Sequence, residues 1–80
     1  MKYYKRQWLN HNSGRAYVIA DIYTLHQYVT ALVEIGDCRH SVTLEFDFET
    51  TNKQKKKQRI QKLDRLIETL QNVRNKINEL

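Results

Sequence analysis

Proline is absent from this 80-residue chain, glycine occurs twice and cysteine once. Without proline no helix is forced to stop and no strand is confined to an edge. Chain reversals must therefore be sought at the two glycines and at Asn, Ser and Asp. A lone Cys38 cannot close an intrachain disulfide, which removes the usual staple of small secreted domains and points to a reducing, cytoplasmic setting. No stretch approaches the ~20 apolar residues of a membrane span, and the charged start Met1 to Trp8 has no apolar run behind it. Neither a membrane nor a secretory leader is expected. A chain of 9.7 kDa is expected to be a single domain, 1–80. At that size one core supplies only ~3–5 kcal/mol unless something supplements it. A partner or a second copy is the natural supplement.

What is abundant is charge, and it is unevenly placed. The formal balance of +5 divides into three blocks. Lys2, Lys5, Arg6 and Arg15 make the first fifteen residues basic. Asp21, Glu34, Asp37, Glu45, Asp47 and Glu49 against Arg39 alone make the middle acidic. Nine Lys/Arg against Asp64, Glu68 and Glu79 make the last thirty basic again. Such a field steers an anion to the two ends and repels it from the middle.

Both glycines stand where a reversal is wanted. His11-Asn-Ser-Gly-Arg separates Lys2–Leu9 from Ala16–Tyr23, and Gly36-Asp37 separates Tyr28–Ile35 from Ser41–Phe48. In Ser41–Phe48, Val42, Leu44, Phe46 and Phe48 alternate with Ser41, Thr43, Glu45 and Asp47, the pattern of a half-buried antiparallel strand. Tyr28–Ile35 is ambiguous, because Leu25, Tyr28, Val29, Leu32 and Val33 also fit a helical stripe. The β-branched Val29, Thr30, Val33 and Ile35 favour a strand and a short Gly-Asp hairpin.

From Asn52 to Leu80 the period changes. Ile60, Leu63, Leu66, Ile67, Leu70, Val73, Ile77 and Leu80 recur at three- and four-residue steps, which places them on one face of a helix. Thr51 and Gln54 match a reciprocal capping pattern ahead of it. Such a helix is roughly 42 Å long, whereas an eight-residue strand spans about 26 Å, so one end must overhang. Either the basic start projects, or Val73, Ile77 and Leu80 project and demand a helical partner, most simply the same helix of a second subunit.

The expected architecture is α+β: a four-stranded antiparallel meander within 1–49, followed by one long C-terminal amphipathic helix (52–80) packed on the sheet. That order of elements resembles the single-stranded nucleic-acid-binding folds of the Whirly, Pur-alpha and transcriptional coactivator type. The resemblance implies a nucleic-acid ligand and assigns no residue.

Lys53, Lys55, Lys56, Lys57, Arg59 and Lys62 crowd the helix start, where the macrodipole disfavours cations. A sequence that tolerates this cost is expected to gain an anion, and a cationic helical segment can lie along a phosphate backbone. Lys5, Arg6 and Trp8 interleave charge with an aromatic ring, as a platform for stacked single-stranded bases requires. The bland readings are a solvated helix start and rings that fill strand positions. His11, His26, Cys38 and His40 are nominal zinc ligands, but in a meander His26 falls a strand length from the others, so no metal and no cofactor is expected. Neither a Cys/His pair with an orienting third group nor a convergent carboxylate pocket is identifiable, so no enzyme is expected. The chain reads as a small non-catalytic nucleic-acid-binding protein. The alternative is a protein-binding adaptor or inhibitor of a larger nucleic-acid enzyme, in which Glu45, Asp47 and Glu49, or the helix, meet the partner.

Overall fold

The computed structural model describes residues 1–10 and 15–80. The reversal expected at His11-Asn-Ser-Gly lies outside them. Four antiparallel strands, β1 (Lys2–Trp8), β2 (Tyr17–Leu25), β3 (Tyr28–Asp37) and β4 (His40–Glu45), lie side by side in chain order. A two-residue strand β5 (Phe48–Glu49) then pairs with the start of β3, and one helix α1 (Lys53–Glu79) completes the α+β fold. Tyr28–Ile35 is strand, as its β-branched residues indicate.

The register sorts the side chains onto two faces, because residues directly opposite each other in an antiparallel pair point the same way. Val18–Ile35–Val42 and Ala20–Val33–Leu44 are aligned across three strands, with Ile22, Ala31 and Val29 continuing the row. This is the apolar face. The other face carries Tyr4, Arg6 and Trp8 of β1, then Tyr17, Ile19, Asp21 and Tyr23 of β2, then Leu32 and Glu34 of β3 and Glu45 of β4. It mixes rings, cations and carboxylates. β1 is an edge strand exposed along its whole length, and Lys2, Lys5 and Arg6 guard it against pairing with a further strand.

Three local features differ from the sequence expectation. The β3–β4 reversal is made by Cys38-Arg39, with Cys38 at φ 56°, and not by Gly36-Asp37. Gly36 sits inside β3 opposite Tyr17, whose ring lies over it so closely that a Cβ there would overlap the ring. Glycine is used for close approach, and a residue with a Cβ takes the left-handed position at some cost. The helix cap is Asn52, whose Oδ1 accepts from the Lys55 N–H at 2.9 Å, one residue after the expected Thr51. Finally, the strand read as Ser41–Phe48 breaks at Phe46-Asp47. There the Ala31 N–H, which a continuous ladder would pair with backbone, is taken by Asp47 Oδ1 at 2.9 Å, while Ala31 O accepts from Phe46 N–H at 2.8 Å. Asp47→Ala leaves a half-buried N–H without its acceptor, and the expected loss of about 1–3 kcal/mol is measurable by urea denaturation. A change below 0.5 kcal/mol, roughly the level of an ordinary surface substitution, would show that water replaces the carboxylate freely.

The helix meets the sheet over a narrower contact than a helix laid across it would make. Arg59 Nε donates to Asp47 O at 2.8 Å and Lys62 Nζ to Glu45 O at 2.6 Å, with the Lys62 ammonium 4.7 Å from the Phe46 ring centroid. These contacts fasten the first turns to the β4–β5 corner. The C-terminal part is the overhang, and no residue of α1 is buried. Among the described residues the buried hydrophobic side chains are Phe46, 5 % exposed, and Val29, 9 % exposed. Val18, Ala20, Ile22, Ala31, Val33, Ile35 and Leu44 on the apolar face are only half-buried. Among the described residues no helix is long and apolar enough to cross a membrane.

Candidate nucleic-acid interface

The α1 start is built by its cap. Asn52 turns the chain out of the β5 corner, where Thr50 N–H bonds Gln27 O and Asn52 N–H bonds Glu49 O, so the first helical turn stands beside the His26-Gln27 reversal. Lys53, Lys55, Lys56 and Lys57 are all exposed there, and the first turn contains no acid. Among the described residues the one ion pair is Lys76–Glu79, at 3.4 Å near the far end of the helix. The four lysines thus add full charges to the partial positive charge of the helix N-terminus, with no carboxylate compensating them. Arg59 and Lys62 were expected in the same group. Their donors are engaged with the carbonyls of Asp47 and Glu45, so these two cations hold the helix in place and contribute charge from the flank.

The β1 candidates occupy a different place. Arg6 and Trp8 share the mixed face, with the guanidinium 5.6 Å from the Trp8 ring centroid, inside cation–π range. Trp8 meets Tyr17 edge-on at 6.0 Å, the arrangement that ring quadrupoles favour. Lys5 pairs with Ala20 and lies on the apolar side, apart from Arg6 and Trp8. The strand geometry puts Arg6 two strands and about six residues of β3 from the helix start, roughly 20 Å. One short ligand cannot touch both places, but an extended strand of several nucleotides can.

Between them the mixed face is acidic. A shallow depression is lined by Tyr4, Ile19, Asp21, Leu32, Glu34 and Thr43, and Asp21 Oδ1 is enclosed with no hydrogen-bond partner. Tyr17 Oη donates to Glu34 Oε2 at 2.5 Å. That bond, helped by desolvation and the Glu34 charge and opposed by Arg6, holds the Tyr17 hydroxyl above its ordinary value of 10.0. A raised phenol favours the folded state below pH about 10, and this contribution fades as the pH climbs through the folded value. In an ultraviolet titration Glu34→Gln is therefore expected to move the ionisation of Tyr17 to lower pH. An unchanged titration in that variant would contradict the bond.

The acids of the alternative reading are also separated. Glu45 and Glu49 are exposed, four residues apart along the β3 edge, whereas the Asp47 carboxylate is committed to the Ala31 N–H. That role was not legible in the alternation, which gives Asp47 the same outward position as Glu45. His26 lies at the β2–β3 turn and Cys38 and His40 at the opposite end of β3. No group of three or more metal-ligating side chains occurs among the described residues. No protein family, curated protein or solved structure matches this chain.

Proposed function

We propose that the protein is a non-catalytic binder of nucleic acid that grips the phosphate backbone with Lys53, Lys55, Lys56 and Lys57. The observation that carries this reading is four exposed lysines, none of them in an ion pair and with no acid in their helical turn, at the N-terminus of a 27-residue helix. Backbone N–H groups at a helix start already favour an anion, and four lysines extend that preference to a polyanion. Arg6 and the exposed Trp8 and Tyr4 rings supply a second contact that suits unpaired bases, with stacking worth about 1–3 kcal/mol per base. The acidic depression keeps the backbone at the margins of the mixed face, so a bound strand runs from the helix start along the sheet rim.

The test is fluorescence anisotropy of labelled single-stranded and duplex oligonucleotides at several salt concentrations. Four neutralised phosphates give a log–log slope of about −3.6 for duplex and about −2.8 for a single strand. Absence of binding at low salt would sink the reading. It would favour the second one, an adaptor or inhibitor that offers Glu45 and Glu49 to a basic protein partner, supported by the exposure of both carboxylates along the β3 edge. A cytoplasmic location agrees with either reading, since Cys38 is a free, exposed thiol. A second copy of the chain is a further proposed partner, and it uses another surface, the apolar stripe of the helix.

A further inference from the structure

The described chain exposes more surface than a folded protein of its mass should. It exposes 6991 Å², whereas a monomer of 9.7 kDa is expected to expose about 5,100 Å². The excess, on the order of 1,900 Å² per chain, is the area that a protomer of an obligate dimer hides, since such interfaces bury about 2,000–5,000 Å² in total. Exposed apolar side chains occur on the sheet as well, and on α1 they form a continuous stripe. Leu70, Val73 and Ile77 are 54 %, 49 % and 65 % exposed on the part of α1 that overhangs the sheet.

The spacing of the stripe identifies what can cover it. Leu63, Leu66, Leu70, Val73, Ile77 and Leu80 follow one another at steps of three, four, three, four and three, the alternation of an a/d seam, with Ile60 and Ile67 flanking it. The seam opens at Leu63, the residue after Lys62, whose ammonium makes the last hydrogen bond from the helix to the sheet among the described residues. We infer that a second copy docks on this seam with the two helices antiparallel, joined over residues 63–80 and facing each other as Leu63 with Leu80, Leu66 with Ile77 and Leu70 with Val73.

Charge selects the direction. Residues 63–80 carry Arg65, Arg74 and Lys76 against Asp64, Glu68 and Glu79 and are neutral, whereas 53–62 carry Lys53, Lys55, Lys56, Lys57, Arg59 and Lys62 with no acid. Antiparallel docking overlaps the neutral halves and sends the two basic starts, with their sheets, to opposite ends. Parallel docking in register would set the basic starts side by side and align two macrodipoles, which repel. A two-fold axis near residues 71 and 72 makes the contact self-complementary and closed. The inference deepens the self-association proposed above and does not depend on nucleic acid.

Sedimentation equilibrium of the unmodified protein, without oligonucleotide and over a hundredfold range of micromolar concentration, is expected to give twice the chain mass of 9.7 kDa. A mass of one chain throughout, or of more than two, overturns the inference. Direction is read from spin-label distances in the Cys38→Ser background, with Gln71→Cys, Asn78→Cys and Gln61→Cys as single labels outside the seam. Antiparallel helices separate like labels along the axis by about 2, 20 and 32 Å in that order. Equal distances at all three sites mean a parallel pair and overturn it. Leu70→Glu with Val73→Glu is expected to halve the mass while the β-sheet signal is kept. If that variant unfolds instead, the distances in the seam-intact proteins still decide.

Discussion

Phe46→Ala is expected to remove about 3–5 kcal/mol, as much as a core of this size is expected to supply. Phe46 and Val29 are the buried hydrophobic side chains among the described residues, and Phe46 stands where β4 ends, α1 is fastened and the ladder is broken. Its loss removes the ring on which the Lys62 stem and ammonium rest, so the helix anchor and the sheet corner are weakened together. Urea denaturation at one fixed protein concentration is the measurement, because the proposed self-association would add concentration-dependent stability. The expected result is a loss of the cooperative transition or a shift of its midpoint to the lowest urea. A cost under about 1 kcal/mol, near that of an average substitution, would mean that stability resides elsewhere.

Replacing Lys53, Lys55, Lys56 and Lys57 together by Gln is expected to move two quantities in opposite directions. Nucleic-acid affinity should fall at low salt and its log–log salt slope flatten by about 2.8–3.6, since four counterion-releasing contacts are gone. Stability should rise, because each exposed cation near a helix N-terminus costs about 0.3–1 kcal/mol. No acid in the first turn offsets that cost. A set of lysines kept only for solubility predicts the gain in stability without any change in binding, and denaturation beside anisotropy separates the two. Arg59 and Lys62 are left untouched because they hold the helix to Asp47 O and Glu45 O. Changing them would confound a lost contact with a displaced helix.

The same split, between what a residue type offers and what its surroundings ask of it, governs how far the sequence could be read. Alternation marked the strands, and the β-branched run settled Tyr28–Ile35, because a two-residue period survives whatever packs on top of it. The exact reversal was not legible. A glycine beside an aspartate reads as a turn, yet Gly36 serves the ring of Tyr17, nineteen positions earlier in the chain, and the turn moves to Cys38-Arg39. Asp47 likewise reads as an outward acid and becomes a substitute for a backbone acceptor. Of the expected site, the lysine cluster is where its helical spacing puts it. Arg59 and Lys62 belong to the same spacing but meet carbonyls that only the folded corner brings within reach.

By itself the sequence determined the element types, their order, the basic helix start and the apolar stripe, since each follows from local periodicity and charge along one segment. Which end of that helix would overhang was decided in three dimensions. Arg59, Lys62 and Phe46 come from separate parts of the chain and fasten the first turns at the β4–β5 corner. A contact between segments has no period to announce it, so the exposure of Leu70, Val73 and Ile77 became evident only in the tertiary structure.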